Sequence, residues 1–247
     1  MALVQEMFWD WLALVALLGG WAGYTLYAAY HRKQRSCLAS VMALYRRDWM
    51  LRLLGRDNRI ADASFISTLR ASVSFFASTS ILVIAGLITA IAASEEAIGV
   101  LSTIPFVSTT TRELWEVRVI LLLIIFIYSF FEFTWSLRLY NFSCVVMSSA
   151  PLVREITDKT KEKNAFADKA GHLVTMAAHH FNMGLRSYYF AMATIAWFVH
   201  PGLMILAVCL VVWILYRREF HSQVLNVLSY SHKNSSHYDQ NTDGQTE

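Results

Sequence analysis

One long apolar run with a single carboxylate inside it constrains the fold of this chain more than any other stretch. The run extends from Val119 to Leu137, and Glu132 lies within it. An apolar segment of this length is typical of a helix that crosses a lipid bilayer. A charged side chain there costs about 3 kcal/mol at the bilayer centre and less near its edge. We therefore expect Glu132 to have a partner.

The rest of the composition agrees with a membrane protein. Hydrophobic residues make up 56% of the chain and charged residues only 16%, whereas about 25% is usual for a soluble protein. The apolar residues are clustered into runs too long for buried core helices. We therefore predict an all-α, polytopic transmembrane helical bundle. The three cysteines are far apart and predict free thiols. We expect no metal site and no cofactor, haem included, because no histidines face each other at mid-membrane.

The last apolar region, Tyr188 to Tyr216, is the ambiguous one, since a single tilted span there would make four in total. However, His200-Pro201-Gly202 interrupts it near the middle, and proline next to glycine is a strong turn signal. We therefore favour five spans, with four as the alternative. The predicted spans cover residues 11–30, 71–93, 119–137, 177–199 and 203–218.

The positions of the basic residues distinguish the two topologies. Of 21 Lys and Arg residues, nine lie in 31–70, seven in 138–186 and three in 217–247. Five spans place all of these on one side, which is the cytoplasmic side by the positive-inside rule. Four spans would place the last three on the wrong side. We therefore expect a periplasmic N-terminus and a cytoplasmic C-terminus.

Several segments are expected to lie outside the membrane. Residues 36–60 predict an amphipathic helix, either on the membrane surface with anionic lipid headgroups or packed on the protein's own cytoplasmic face. Residues 94–116 predict a loop, and residues 150–180 a solvated hairpin or surface helix. Residues 1–228 then form a single transmembrane domain, and residues 229–247 a polar tail that we expect to be disordered.

Two helix starts carry sequence signals. Asp62 is a candidate N-cap for the second long helix. Thr110-Thr111-Arg112-Glu113 has the spacing of a capping box and should begin the third.

With five spans, the fourth helix must carry further polar residues into the membrane. Glu132 and Arg186 then lie at similar depth in the cytoplasmic half, and Arg70 enters from the same side. We expect Glu132 to pair with Arg186 or with Arg70, because an unpaired charge in hydrocarbon is costly. The candidate binding cluster is Arg70, Glu132, Arg138, Asn182 and Arg186. It is either structural or, with the neighbouring histidines, a pocket for a small anion or a lipid headgroup.

Several sequence blocks resemble a known family. They are Phe131–Arg138, Gly184–Phe190, the His200-Pro201 pair, Tyr216–Phe220 and the Ser74–Thr79 stretch. Together they resemble the membrane family called domain of unknown function 599, over residues from about 10 to 225. The resemblance implies a bacterial inner-membrane protein and brings no established activity.

Two functions remain open from the sequence. The first is an accessory or interaction protein in the bilayer, with a membrane-protein partner or a second copy of itself. The second is a small transporter or homo-oligomeric channel subunit with a cytoplasmic-side anion or headgroup site. We do not expect an enzyme, because no nucleophile-and-base or metal set is visible. We also expect no nucleic-acid partner.

Overall fold

The computed structural model describes residues 2–31, 37–102, 111–151 and 159–228, and this part of the chain is helical without strands. The α-helices are α1 (Ala2–His31), α2 (Leu38–Leu53), α3 (Ile60–Ala92), α4 (Ser94–Ser102), α5 (Arg112–Ser148), α6 (Lys159–Ile195) and α7 (Pro201–Phe220). A single 3₁₀ turn, Ala196–Phe198, follows α6. The predicted tail, residues 229–247, lies outside the described residues, as does Pro105 in the predicted loop.

Three described helices are long and apolar enough to cross a membrane. They lie at Phe8–His31, Ile60–Ala92 and Arg112–Ser148, and they contain the first three predicted spans except for the last residue of the second, Ala93. The fourth and fifth predicted spans correspond to the C-terminal half of α6 and to α7, which do not meet the same criteria of length and composition. The apolar helices thus support a membrane protein, and the count from these criteria is three.

The break between α6 and α7 is where the turn signal predicts it. Helix α6 tightens into the 3₁₀ turn, His200 has an extended backbone, and Pro201 begins α7. The N–H of Gly202 donates to Nδ1 of His200 at 3.0 Å, so the imidazole caps the new helix. Proline suits the first helical position because its missing N–H would have no intrahelical partner there.

Contacts along the helices give their relative directions. Ser136 on α5 donates to the carbonyl of Ala177 on α6, and Trp115 stacks edge-on against Phe198. Helices α5 and α6 are therefore antiparallel over most of their length. Helices α1 and α7 are instead parallel. Gly20 lies against Val208 near the middle of the pair, and Tyr27 meets Phe220 further along both helices.

Helix α2 packs on the protein itself, which is the second of the two predicted placements. Arg47 pairs with Asp168 at 2.6 Å, and its Nη2 donates to Asn164 at 3.1 Å, both on α6. A Cβ on Gly171 would lie 2.9 Å from the Cα of Arg47, so the two backbones are nearly in contact. The predicted hairpin in 150–180 is wrong where the structure describes it, because one continuous helix, α6, runs through residues 159–195.

Three local predictions need correction. Asp62 is not an N-cap, because it lies in the first turn of α3, fully buried, where Trp49 and Arg56 each donate to it at 2.6 Å. The loop expected over 94–116 contains helix α4. The N-cap of α5 is Thr111, whose side chain accepts from the N–H of Leu114, while Thr110 lies outside the described residues.

Two hydrophobic cores lie at the two ends of the bundle. The first joins α2, α3, α5 and the N-terminal half of α6, and it includes Met50, Ile66 and Phe133. The second joins α1, α5, the end of α6 and α7, and it includes Leu17, Phe190 and Trp197. We call the end that holds α2 and the C-termini of α1 and α7 the basic end. The opposite end holds the N-termini of α1, α5 and α7.

Candidate functional site

The predicted pair between Glu132 and Arg186 is not formed, which corrects the sequence-based hypothesis. Glu132 instead accepts a hydrogen bond from Nδ1 of His180 on α6, at 2.8 Å from Oε2. The side chains of Glu132 and His180 are 16% and 27% exposed, so the carboxylate lies close to the surface of the bundle with an imidazole as its hydrogen-bond partner.

Arg186 is paired with a residue that the sequence argument placed beyond the membrane. Its Nη2 donates to Oε2 of Glu219 on α7 at 3.4 Å, and its guanidinium carbon lies 5.1 Å from the Tyr24 ring centroid. Helix α7 continues to Phe220, two residues past the predicted span. This extra half turn brings Glu219 level with Arg186. The acidic residue just after the Arg217-Arg218 doublet was the available signal.

The other predicted cluster members have different positions. Arg70 and Arg138 are exposed side chains on α3 and α5. Neither takes part in an ion pair of the described structure. Helical geometry explains why Arg138 is exposed, because it lies two residues, roughly 200° around the helix, from the buried Ser136. Asn182 is exposed but borders a cavity that Arg186 also lines. The structure thus brings together two of the five predicted residues at this cavity.

This cavity lies at the basic end between α2, α6 and α7 and has a volume of about 490 Å³. Such a volume is in the range of small-molecule sites, roughly 300–1,000 Å³. Its polar and charged lining residues are Ser40, Arg46, Thr175, His179, Asn182, Arg186, Tyr189, Arg218 and Glu219. We call it the arginine cavity.

The charge of the arginine cavity is unbalanced. Three guanidinium groups, those of Arg46, Arg186 and Arg218, face one carboxylate, that of Glu219. Arg186 and Glu219 pair with each other, and Arg218 donates to the Tyr189 hydroxyl at 2.8 Å. Two positive charges are therefore left without a carboxylate in the lining. Paired cations of this kind suit phosphate or carboxylate oxygens, which accept several N–H donors at once.

Arg46 is one of the two arginines without a carboxylate in this lining, and it is partly buried on α2. Burial lowers the pKa of Arg46 from its ordinary value, and the neighbouring Tyr140 opposes that change. An arginine starts from a pKa above 12, so the group stays charged at neutral pH. A positive charge in a partly desolvated place attracts an anion more strongly, because the effective dielectric constant is lower there.

A second polar cluster lies at the opposite end, and sequence reasoning missed it. Arg118 on α5 donates to Asp10 on α1 at 3.0 Å, and Nε1–H of Trp197 donates to the same carboxylate oxygen at 2.6 Å. The Arg118 guanidinium also lies 5.2 Å from the Trp197 ring centroid. Asp10 and Arg118 are 7% and 2% exposed. This enclosed cluster joins α1, α5 and the 3₁₀ turn after α6.

A signal for this second pair was present in the sequence. Asp10 immediately precedes the first predicted span and Arg118 the third, so alternating helices bring both to the same end. Arg118 was also one of only two basic residues outside the three basic regions. In the described residues, no group of three or more His, Cys, Asp or Glu side chains could hold a metal ion.

The comparisons with known proteins identify a family. A family model described as "Protein of unknown function, DUF599" matches residues 12–224. No curated protein and no solved structure matches the chain. The function is therefore inferred from the polar and charged residues at the two ends of the helix bundle.

Proposed function

The chain belongs to the DUF599 family of proteins of unknown function, and from this premise we propose that it is a membrane protein with five spans that binds an anionic group in the arginine cavity. The observation that carries the proposal is the surplus of two guanidinium charges in a cavity of about 490 Å³. The preferred ligand is an oxyanion, either the phosphate of a lipid headgroup or a soluble phosphate-bearing anion.

Helix directions support the five-span arrangement over the four-span one. The C-terminal half of α6 packs beside α5, which is apolar enough to cross the bilayer. Helix α7 runs back beside α6, since Tyr189 meets Arg218 near one end of this pair. It also runs parallel to α1. Spans one, three and five then run in the same direction, as an odd number of crossings requires.

The same arrangement supports the proposed orientation. The arginines of α2, Arg138 and the Arg217-Arg218 doublet all lie at the basic end. By the positive-inside rule this end faces the cytoplasm, which places the N-terminus outside and the C-terminus inside. If the protein is bacterial, as the family resemblance implies, the membrane is the inner membrane. The arginine cavity then lies at the level of the inner-leaflet headgroups.

Binding is better supported than transport through a single chain. Above the arginine cavity, the core contains the fully or almost fully buried Phe190, Trp197 and Met204. The Asp10–Arg118 pair then closes the opposite end with short hydrogen bonds. A pore needs polar groups across the whole thickness, and the described helices enclose no such path. This favours an accessory or interaction role in the bilayer, in which the bound anion recruits or orients the protein.

The test measures anion binding to the purified full-length protein. Inorganic phosphate and a short-chain phosphatidylglycerol serve as probes, with short-chain phosphatidylcholine for comparison. Arg46→Gln and Arg218→Gln should each weaken binding by about tenfold or more, because a charge-assisted hydrogen bond contributes about 1.5–3 kcal/mol. The matched control is Arg138→Gln, which removes an exposed arginine at the same end and should leave binding unchanged.

The two probes distinguish the ligand sources. Binding of phosphatidylglycerol without binding of inorganic phosphate supports a lipid headgroup, and the reverse supports a soluble anion. Equal losses in all three variants would mean that general surface charge attracts the anion, and the proposal would be abandoned. The proposal would also be abandoned if neither probe binds. Purification in native lipid adds a further check, since a ring of identical subunits would support a channel instead.

A further inference from the structure

A second, apolar groove lies on the outside of the bundle between α1 and α7. Its volume is about 620 Å³. The lining residues are Ala16, Gly20, Gly23, Tyr24, Tyr27, Val208, Cys209, Val212, Trp213 and Tyr216. None of them lines the arginine cavity. We call this site the α1–α7 groove.

Two glycines explain why the groove exists. At Gly20 the helices are in close contact, because a Cβ there would lie 2.8 Å from Cγ1 of Val208. At Gly23, almost one turn further, a Cβ would have no heavy atom within 4 Å. The helices therefore touch at the first glycine and leave a space at the second. This space lies within the apolar helix Phe8–His31, at the depth of lipid chains.

The groove ends among aromatic and basic residues. Tyr27, Trp213 and Tyr216 line it toward the basic end, where tyrosine and tryptophan mark the level of lipid headgroups. The guanidinium of Arg217 lies 5.6 Å from the Trp213 ring centroid. His31 stacks on Tyr27 at 4.0 Å. Arg217 is exposed and forms no ion pair with the residues that the structure describes, so its charge is available to a lipid phosphate.

We propose that the α1–α7 groove is a binding site for one anionic phospholipid of the inner leaflet. One acyl chain lies along Gly20, Gly23 and Val212, and the phosphate lies at Arg217. Charge complementarity selects an anionic over a zwitterionic lipid, since each basic residue near the membrane surface contributes about 1 kcal/mol of attraction. The groove and the arginine cavity share no lining residue, although the guanidinium carbon of Arg186 in the cavity lies 5.1 Å from the ring centroid of Tyr24 in the groove.

The glycines of α1 provide a matched pair of variants. Gly23→Leu fills the groove, whereas Gly19→Leu adds the same side chain at a glycine that also has nothing within 4 Å but does not line the groove. Delipidated full-length protein in mild detergent is titrated with long-chain phosphatidylglycerol or phosphatidylcholine, and bound lipids are counted by native mass spectrometry. Gly23→Leu should weaken phosphatidylglycerol binding by at least about tenfold, and Gly19→Leu should bind as the wild type does.

Arg217→Gln tests the headgroup contact. It should remove the preference for phosphatidylglycerol over phosphatidylcholine, by about fivefold for a loss of about 1 kcal/mol, and leave phosphatidylcholine binding unchanged. If Gly23→Leu does not fold, Cys209→Phe fills the groove from α7 instead, because Cys209 is exposed and lines it.

The outcomes separate this site from the arginine cavity. The titration is repeated in Arg46→Gln, which alters α2, a helix that does not line the groove. If one tight lipid persists in Arg46→Gln and is lost in Gly23→Leu, the groove holds it. Equal binding by Gly23→Leu and Gly19→Leu overturns the inference, whatever the result for the arginine cavity. Loss of the lipid in Arg46→Gln alone overturns it as well.

Discussion

Two buried arginines, one at each end of the bundle, show how differently the same side chain can be used. Arg118 and Arg186 are 2% and 6% exposed, and each pairs with a carboxylate from another helix. Arg118 lies 3.0 Å from Oδ1 of Asp10, and the Trp197 N–H donates to the same oxygen. Arg186 lies 3.4 Å from Glu219 and borders the arginine cavity, which contains two further arginines.

The difference lies in the surroundings rather than in the pairing. At the opposite end, one carboxylate meets one guanidinium in an enclosed place, so the charges balance. At the basic end, three guanidinium groups share one carboxylate beside an open volume. A balanced buried pair contributes to specificity or stability, whereas an unbalanced one beside a cavity is ready to receive an anion. We therefore assign a structural role to the first pair and a binding role to the second.

The largest expected effect comes from removing each arginine in turn. Arg118→Met leaves Asp10 buried and without its cation, and should cost about 3–5 kcal/mol of unfolding free energy. Arg186→Met leaves Glu219 without its cation, but the Glu219 side chain is 19% exposed. The loss of unfolding free energy should therefore be smaller, about 1–3 kcal/mol. Denaturant unfolding in mild detergent, followed by tryptophan fluorescence, measures both. Equal losses of unfolding free energy would show that the two arginines have the same structural role.

A double-mutant cycle sharpens the comparison at the basic end. Glu132→Gln combined with His180→Gln should show a coupling of about 0.5–3 kcal/mol, because the two side chains share a 2.8 Å hydrogen bond. Glu132→Gln combined with Arg186→Gln should be additive within about 0.5 kcal/mol, because each residue has a different partner. The same unfolding assay gives both cycles. Coupling between Glu132 and Arg186 would restore the original pairing hypothesis.

The smallest expected effect concerns a surface network at the opposite end. Arg112 pairs with Glu95 and Glu116, each at 2.9 Å, but the Arg112 and Glu95 side chains are largely open to solvent and Glu116 is only partly buried. Exposed pairs of this kind contribute little. Arg112→Gln should therefore leave the melting temperature unchanged, in contrast to Arg118→Met six residues later on the same helix. A large fall in the melting temperature would mean that solvent exposure does not indicate how much a charged side chain contributes to stability in this protein.

Particular residues show where sequence reasoning succeeds. The break at His200-Pro201 is local chemistry, since proline begins a helix and the imidazole caps it, and the structure has the break there. The start of α5 just after Thr111, within the predicted capping box, is likewise local. The fourth and fifth spans remain predictions, because α6 and α7 are not among the three helices that meet the criteria for a membrane span.

Partner choice shows where sequence reasoning fails. Glu132 and Arg186 were paired because their depths matched, but depth says nothing about the direction in which each side chain points around its helix. Rotation placed Glu132 beside His180 and turned Arg186 toward Glu219. Arg46 could not be connected to this site at all, since α2 reaches it only by folding back along α6.

The sequence by itself therefore determined the class of protein, the break before α7, the start of α5 and the side of the bundle on which its basic residues lie. These follow from the length of apolar runs, from capping chemistry and from charge counts, which are properties of short stretches of chain. Only the tertiary structure decided which charges meet and where space remains between helices. Those depend on the rotation and spacing of packed helices, which close contacts such as Gly20 against Val208 set across the bundle.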